Sequence, residues 1–224
     1  MADVFEYITV GGGTAGLTIA ACLTENLTTI VLALEAGADH MSDLNVLAPG
    51  LFPAMYGNPE YDWDHKTAPQ PAANSKVVAH VRGKQLGGSS AMNLMFWTHP
   101  SRQDIDGWGE LSNAGWSWDE LAPCLRNSEA LVAPSEQQTA DMLLGYVDPD
   151  SHGTARPIAN EFPQLQSPLL RTWPRTLENL GLAVRSDPQD VKALGGYVNL
   201  LNIDGATRSY AANAYLGAAR CPNT

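Results

Sequence analysis

The chain has 224 residues, of which 44% are hydrophobic and only 17% charged, with 20 glycines and 15 prolines. That composition supports a self-sufficient core and excludes a disordered, coiled-coil or collagen-like chain. With 13 basic residues against 24 acidic ones the formal charge is −11, which leaves no electrostatic footprint for nucleic acid or an anionic membrane surface.

Tyr7-Ile8-Thr9-Val10 is short, β-branched and aromatic, and predicts a strand that runs straight into Gly11-Gly12-Gly13-Thr14-Ala15-Gly16. Leu17, Ile19, Ala20 and Leu23 follow at the spacing of a helix buried against a sheet. Residues 29–34 predict a second buried strand, which ends at Glu35-Ala36-Gly37. A strand, tight turn, helix and strand in about 30 residues make a parallel crossover. In such a unit Gly11 allows the turn, Gly13 lets the backbone approach a pyrophosphate, and Gly16 lets helix and strand pack closely. The helix N-terminus presents unpaired N–H groups to the phosphates. Glu35 stands where an acid accepts from a ribose hydroxyl, and an acid there disfavours the 2′-phosphate of NADP. Motif and context together predict a dinucleotide site.

Residues 38–80 are rich in proline, glycine and aromatic residues, and Trp63 among them reads as a buried structural side chain. Residues 82–93 form a second loop suited to an anion, with Arg82, Gly83, Lys84, Gly87, Gly88, Ser89, Ser90 and Asn93. Ser117-Trp118-Asp119-Glu120 is a capping box that starts a helix at Trp118, with Leu121, Cys124 and Leu125 on one apolar face. Trp108, Trp116 and Trp118 read as core anchors. Leu169, Leu170, Trp173, Leu177 and Leu180 recur at helical spacing, with Pro174 as a kink and Gly181 as the stop. Residues 198–203 predict a strand, Asp204-Gly205 a turn, and residues 209–216 a closing helix. His65, His80 and His99 fall in or beside the segments named above, whereas His40 and His152 read as loop residues. None has a recognisable partner or metal-ligand spacing, so no metal is expected.

Taken together these motifs resemble the glucose-methanol-choline (GMC) family of FAD-dependent oxidoreductases. The resemblance is carried by residues 7–16, Leu34-Glu35-Ala36-Gly37, residues 82–93, Asn113-Ala114-Gly115-Trp116-Ser117-Trp118 and residues 205–216, in family order. Residues 95–102 look like the fungal aryl-alcohol-oxidase-like and secondary-metabolism branch. The resemblance implies an α/β fold, with a Rossmann-like FAD-binding βαβ core and part of a second, α+β substrate domain. The implied layout is an FAD-binding part over residues 1–130, with a lid or extended segment over about 38–80. A partial substrate-binding domain over residues 131–205 and a return helix over 206–224 complete it. FAD is the implied cofactor, held by Gly11, Gly13, Thr14, Ala15 and Gly16 at the pyrophosphate and by Glu35 at the ribose. Arg82, Gly87, Gly88, Ser89, Ser90 and Asn93 are implied along the second loop, with Asn93 close to the flavin. Arg156 is a departure, since the family tends to have a glycine there.

Family members continue well past the position of Arg220-Cys221-Pro222-Asn223-Thr224, and their catalytic histidine lies in that further part. The expectation is therefore hydride transfer from an alcohol CH–OH group to flavin, with the base supplied from outside these residues and no catalytic residue assigned within them. A non-redox lyase, cyclase or isomerase in a biosynthetic pathway and a non-catalytic binding module are the alternatives. A parallel sheet short of strands would expose edges and an apolar face, and would enclose FAD less well. That predicts a homo-oligomer or a complementary second polypeptide, beside a small-molecule substrate. Cys22, Cys124 and Cys221 form neither a disulfide framework nor a zinc set, and no leader or membrane span is visible, so a cytoplasmic protein is expected.

Overall fold

Pairing of the first β-branched run with the next gives strand β1 (Tyr7–Val10) beside β2 (Val31–Leu34), joined through helix α1 (Thr14–Thr24). The computed structural model describes residues 4–154, 157–164, 167–184, 187–189 and 195–216; Arg156 and Cys221 lie outside them. After β2 come α2 (Leu44–Leu47), β3 (His65–Lys66), β4 (Ala79–His80), β5 (Phe96–Trp97), α3 (Arg102–Glu110) and α4 (Trp118–Asn127). The remaining elements are β6 (Glu129–Leu131), α5 (Glu136–Met142), β7 (Ile158–Asn160), α6 (Pro168–Asn179), β8 (Leu200–Leu201), β9 (Ile203–Asp204) and β10 (Thr207–Arg208). The chain divides into two units, Met1–Met95 with Ala206–Thr224, and Phe96–Gly205.

In the first unit β1 and β2 are parallel, with Tyr7 opposite Val31 and Val10 opposite Leu34, as the crossover predicts. Leu17 of α1 is buried in a core with Val46, Met55, Tyr61, Ala91, Met92 and Tyr210. Ile19 lies outside that core and is exposed. Parallel strands are normally covered on both faces. Here Ile8 is 58% and Val10 87% exposed, so the pair presents bare apolar side chains. β3 and β4 form an antiparallel pair, His65 opposite His80. The closing segment is a π-helical stretch over Ala212–Leu216 rather than a regular helix from 209. Asn213 shapes its entry, accepting from the Tyr210 amide (2.8 Å) and donating to the Arg208 carbonyl (2.7 Å).

In the second unit the Ser117 capping box forms as predicted, and α4 starts at Trp118. Arg102 of α3 reaches Asp119 of α4 (2.9 Å) and ties the two helices together. β6 and β7 pair in parallel, and β5 pairs antiparallel with β8. Met142, Leu144, Phe162, Val198 and Leu200 form the apolar core. The α6 stop is a Schellman motif: Gly181 (φ +71°) donates to the Glu178 carbonyl, and Leu182 to that of Leu177.

Four expectations are corrected here. Trp108 and Trp116 are half exposed and pack edge-to-face on each other, with ring centroids 5.6 Å apart, instead of anchoring a core. Cys124 is exposed, and Ala122 is the residue that α4 buries. Of the α6 stripe Leu177 is buried, but Leu169, Trp173 and Leu180 face solvent, and Pro174 sits within the helix without ending it. The strand expected over 198–203 is broken into β8 and β9, separated at Asn202. Among the described residues no helix is long and apolar enough to cross a membrane.

Candidate dinucleotide-binding site

Two glycine loops of the first unit lie against each other. Gly11 has φ +100° and its N–H bonds the Leu34 carbonyl (2.7 Å), which closes the turn between β1 and α1. A Cβ on Gly16 would stand 2.0 Å from the Gly11 carbonyl oxygen, so the turn is tight enough to require glycine there. The second loop joins it through Gly87, whose N–H donates to the Gly12 carbonyl (2.8 Å). Gly88 has φ +52°, and a Cβ on it would come within 2.9 Å of the Gly13 Cα. Backbone meets backbone with no side chain between. The cradle beside Gly13 and Gly88 is therefore lined by peptide groups.

Helix α1 opens on this cradle. Gly13 is its N-cap with no side-chain hydrogen bond, and its first turn holds no acidic residue. The partial positive charge of the helix start is thus left for a ligand rather than consumed by a cap. Glu35 is placed beside the turn, where Oε2 accepts from the Gly12 N–H (2.7 Å) and Oε1 from the Gly37 N–H (2.9 Å). Each carboxylate oxygen keeps a further lone pair, so Glu35 both locks the turn and remains an acceptor.

The other residues singled out in the sequence take differing places. Thr14 Oγ1 donates to the Gly87 carbonyl (3.4 Å) and links the loops, while Ala15 lies exposed in the first turn of α1. Ser89 Oγ accepts from the Gly83 N–H (3.1 Å). Ser90 Oγ donates to the Gly87 carbonyl (2.5 Å) and accepts from the Ala211 N–H (3.2 Å), so its hydroxyl is used internally. Asn93 Oδ1 accepts from the Met95 N–H (3.0 Å) and from Arg208. Arg82 is exposed and donates to the Val81 carbonyl. Trp63, expected buried, is 45% exposed; its ring stacks on His65 and carries the Lys84 Nζ 5.1 Å from its centroid.

Sequence reasoning missed Arg208. Fully buried, it donates from Nε to the Val46 carbonyl (2.9 Å) and from Nη1 to the carbonyls of Ser90 (3.3 Å) and Asn93 (3.0 Å) and to Asn93 Oδ1 (2.8 Å). Among the described residues Nη2 is buried without a partner and no carboxylate pairs with the guanidinium. Burial pulls its pKa down to about 10, which still leaves it charged at neutral pH. The one signal in the sequence was its position inside the 205–216 motif.

Another cluster, in the second unit, was also missed. His152, read as a loop residue, is buried between two acids: Nε2 lies 3.1 Å from Asp187 and Nδ1 3.3 Å from Glu129 Oε1. Glu129 is fully buried and also accepts from Trp97 Nε1 (2.5 Å), Asn160 Nδ2 (2.6 Å) and Gln189 Nε2 (3.2 Å). Burial works against the His152 cation, but its hydrogen bonds to Asp187 and Glu129 and their negative charges outweigh it and hold the pKa up at about 9. His99, near the same acids, is pushed down by burial. Among the described residues no group of His, Cys, Asp and Glu could hold a metal ion.

The glycine cradle, the helix start and the acid at the end of the second strand form one pattern. The chain matches the GMC oxidoreductase family over residues 5–222. It belongs to that family. The dehydrogenase citC of Monascus ruber is 37% identical over 94% of this chain and 34% of its own length. Among solved structures, an FAD-dependent oxidoreductase from Chaetomium thermophilum superposes with a TM-score of 0.86 at 30% identity, over 95% of this chain and 36% of that one. A fungal aryl-alcohol oxidase superposes with a TM-score of 0.80 at 25% identity, over 97% of this chain and 37% of that one. This GMC chain carries the family's FAD-binding flavoprotein fold, and it spans about a third of the length of the curated relatives it matches.

Proposed function

We propose that this chain is the cofactor-holding part of an FAD-dependent oxidoreductase acting on the CH–OH group of a small-molecule alcohol. One observation carries the reading: Gly13 and Gly88 bring two peptide-lined loops together at an uncapped helix start, where any larger side chain would fill the space. The amides of Gly13, Thr14, Ala15 and Gly16 hold the diphosphate, and Glu35 accepts from the ribose. Gly87, Gly88 and Ser89 line the opposite wall, Ser90 and Asn93 shape it, and Arg82 adds positive charge at its rim. The bound flavin supplies the hydride acceptor.

The base comes from residues outside this chain. His152 is already protonated at neutral pH and fixed between two carboxylates, and His99 is buried in the same unit. His152 is therefore not free to take a proton from an alcohol. The bare apolar side chains of β1 and β2 are the surface through which copies of the chain associate, and a light-scattering mass equal to the monomer would remove that part of the reading.

The test is a visible absorption spectrum of the purified chain, before and after excess FAD and desalting. A retained flavin spectrum is expected. A folded sample that keeps no flavin overturns the proposal and turns attention to redox-neutral chemistry.

A further inference from the structure

Among the described residues Arg208 is a buried cation with no counter-ion, and a fold retains such a group only against a compensating gain. Its four acceptors lie on two segments of the first unit: Val46 at the end of α2, and the stretch from Ser90 to Asn93. The chain two residues beyond that stretch is under strain, because Met95 holds φ +62° without being a glycine and is buried. Asn93 Oδ1 accepts from both Arg208 and the Met95 N–H, so the guanidinium and the strained residue share one anchor.

The planar peptide sets the consequence. In a trans peptide the C=O and N–H point in opposite directions. With the Asn93 carbonyl turned in toward the guanidinium, the following N–H, that of exposed Leu94, points away from it. Hydrogen bonding at the carbonyl also polarises the peptide and strengthens its N–H as a donor.

We propose that Arg208 is the positioning residue of the cofactor site: it pins residues 90–95 in their strained form, so that the outward amide and the buried positive charge meet an electron-rich group of the bound dinucleotide. The proposal rests on the FAD reading above, and its test separates the two. Amide hydrogen exchange is measured on the chain without cofactor, and FAD affinity, melting temperature and the midpoint potential of bound flavin are measured beside it, for wild type, Arg208→Lys and Arg208→Met. Arg208→Met is expected to speed exchange at Leu94 and Met95 and to weaken FAD at least tenfold. Arg208→Lys keeps the charge but loses the fork, so exchange rises while affinity stays between the two.

A midpoint potential that falls in Arg208→Met and holds in Arg208→Lys assigns the charge to the flavin. An affinity loss at unchanged potential assigns it to the diphosphate. Exchange and affinity like wild type in both variants overturn the proposal, as does faster exchange spread evenly over the unit with affinity falling only as far as stability does. If Arg208→Met does not fold, Arg208→Lys decides alone by the same measures. Failure of the wild type to take up FAD sinks the cofactor reading and the ligand assigned to Arg208, while the exchange measurement still decides whether the loop is pinned.

Discussion

The cradle of the first unit and the ionic cluster of the second are opposite ways of building a polar centre. Around Gly13 and Gly88 the loops meet backbone to backbone, and Gly88 must be a glycine because two stretches of the main chain touch there. Around His152 the polar groups are side chains, two acids and a cation packed with Trp97, Asn160 and Gln189 out of solvent. The cradle leaves donors unspent at a helix start, whereas the cluster spends nearly every donor on itself. Unspent donors mark a place for a ligand. A network of buried side chains closed on one another marks a place that holds the fold. The two regions should therefore respond to substitution in opposite currencies, affinity in one and stability in the other.

The largest effect is expected from His152→Ala. Removing the cation leaves Glu129 and Asp187 buried with no positive partner, a change that costs about 3–5 kcal/mol. Melting of the variant should show that loss, while any sample still folded keeps its FAD affinity. Loss of flavin binding out of proportion to stability would break the contrast between the two regions.

The cluster also sets a pH dependence. The His152 pKa is raised from 6.5 in the unfolded chain to about 9 in the fold. Its stabilisation is therefore fully present below pH 6.5 and is lost as the pH rises through 9, on the order of 3 kcal/mol in all. Glu129 and Asp187 face it with lowered pKa values despite the burial that opposes them, and lose their contribution only on the acid side. His99, facing the same acids, Arg126 and His152, is lowered by burial and disfavours the fold below its ordinary 6.5. Denaturant unfolding from pH 5 to 10 should show stability highest near pH 6.5 and falling toward 9. A flat profile across pH 7–9 would show that His152 is neutral in the fold.

What the sequence disclosed follows the range of the interactions involved. The β1–α1–β2 unit, the Ser117 cap and the Gly181 stop are each decided within one continuous stretch of chain, so spacing alone reveals them. Glu35 was legible because a crossover of fixed size brings the end of β2 back beside Gly12. His152 reaches Asp187 across 35 positions and Arg208 reaches Val46 across 162, and no local pattern marks such partners. Trp108, Trp116 and the α6 stripe misled for a related reason. Apolar residues at the right period promise a buried face only when something packs on it, and in this chain Leu169, Trp173 and Leu180 face solvent.

The smallest stability effect and the sharpest test of the cradle come from one added methyl group, Gly88→Ala. Gly88 sits in the left-handed region at φ +52°, where an alanine costs roughly 1–2 kcal/mol. The new Cβ would also stand 2.9 Å from the Gly13 Cα, a backbone atom, so the two loops must move apart. That shift falls on the wall a dinucleotide would touch, and positioning by rigid peptide groups tolerates little displacement. FAD affinity should fall at least tenfold, about 1.4 kcal/mol, while the melting transition moves only modestly. An equal methyl addition at Gly107, where a Cβ meets nothing within 4 Å, serves as the control and leaves flavin binding unchanged. If Gly88→Ala bound FAD as wild type does, the glycine contact would be a packing detail, and the contrast with the His152 cluster would fail from the ligand side.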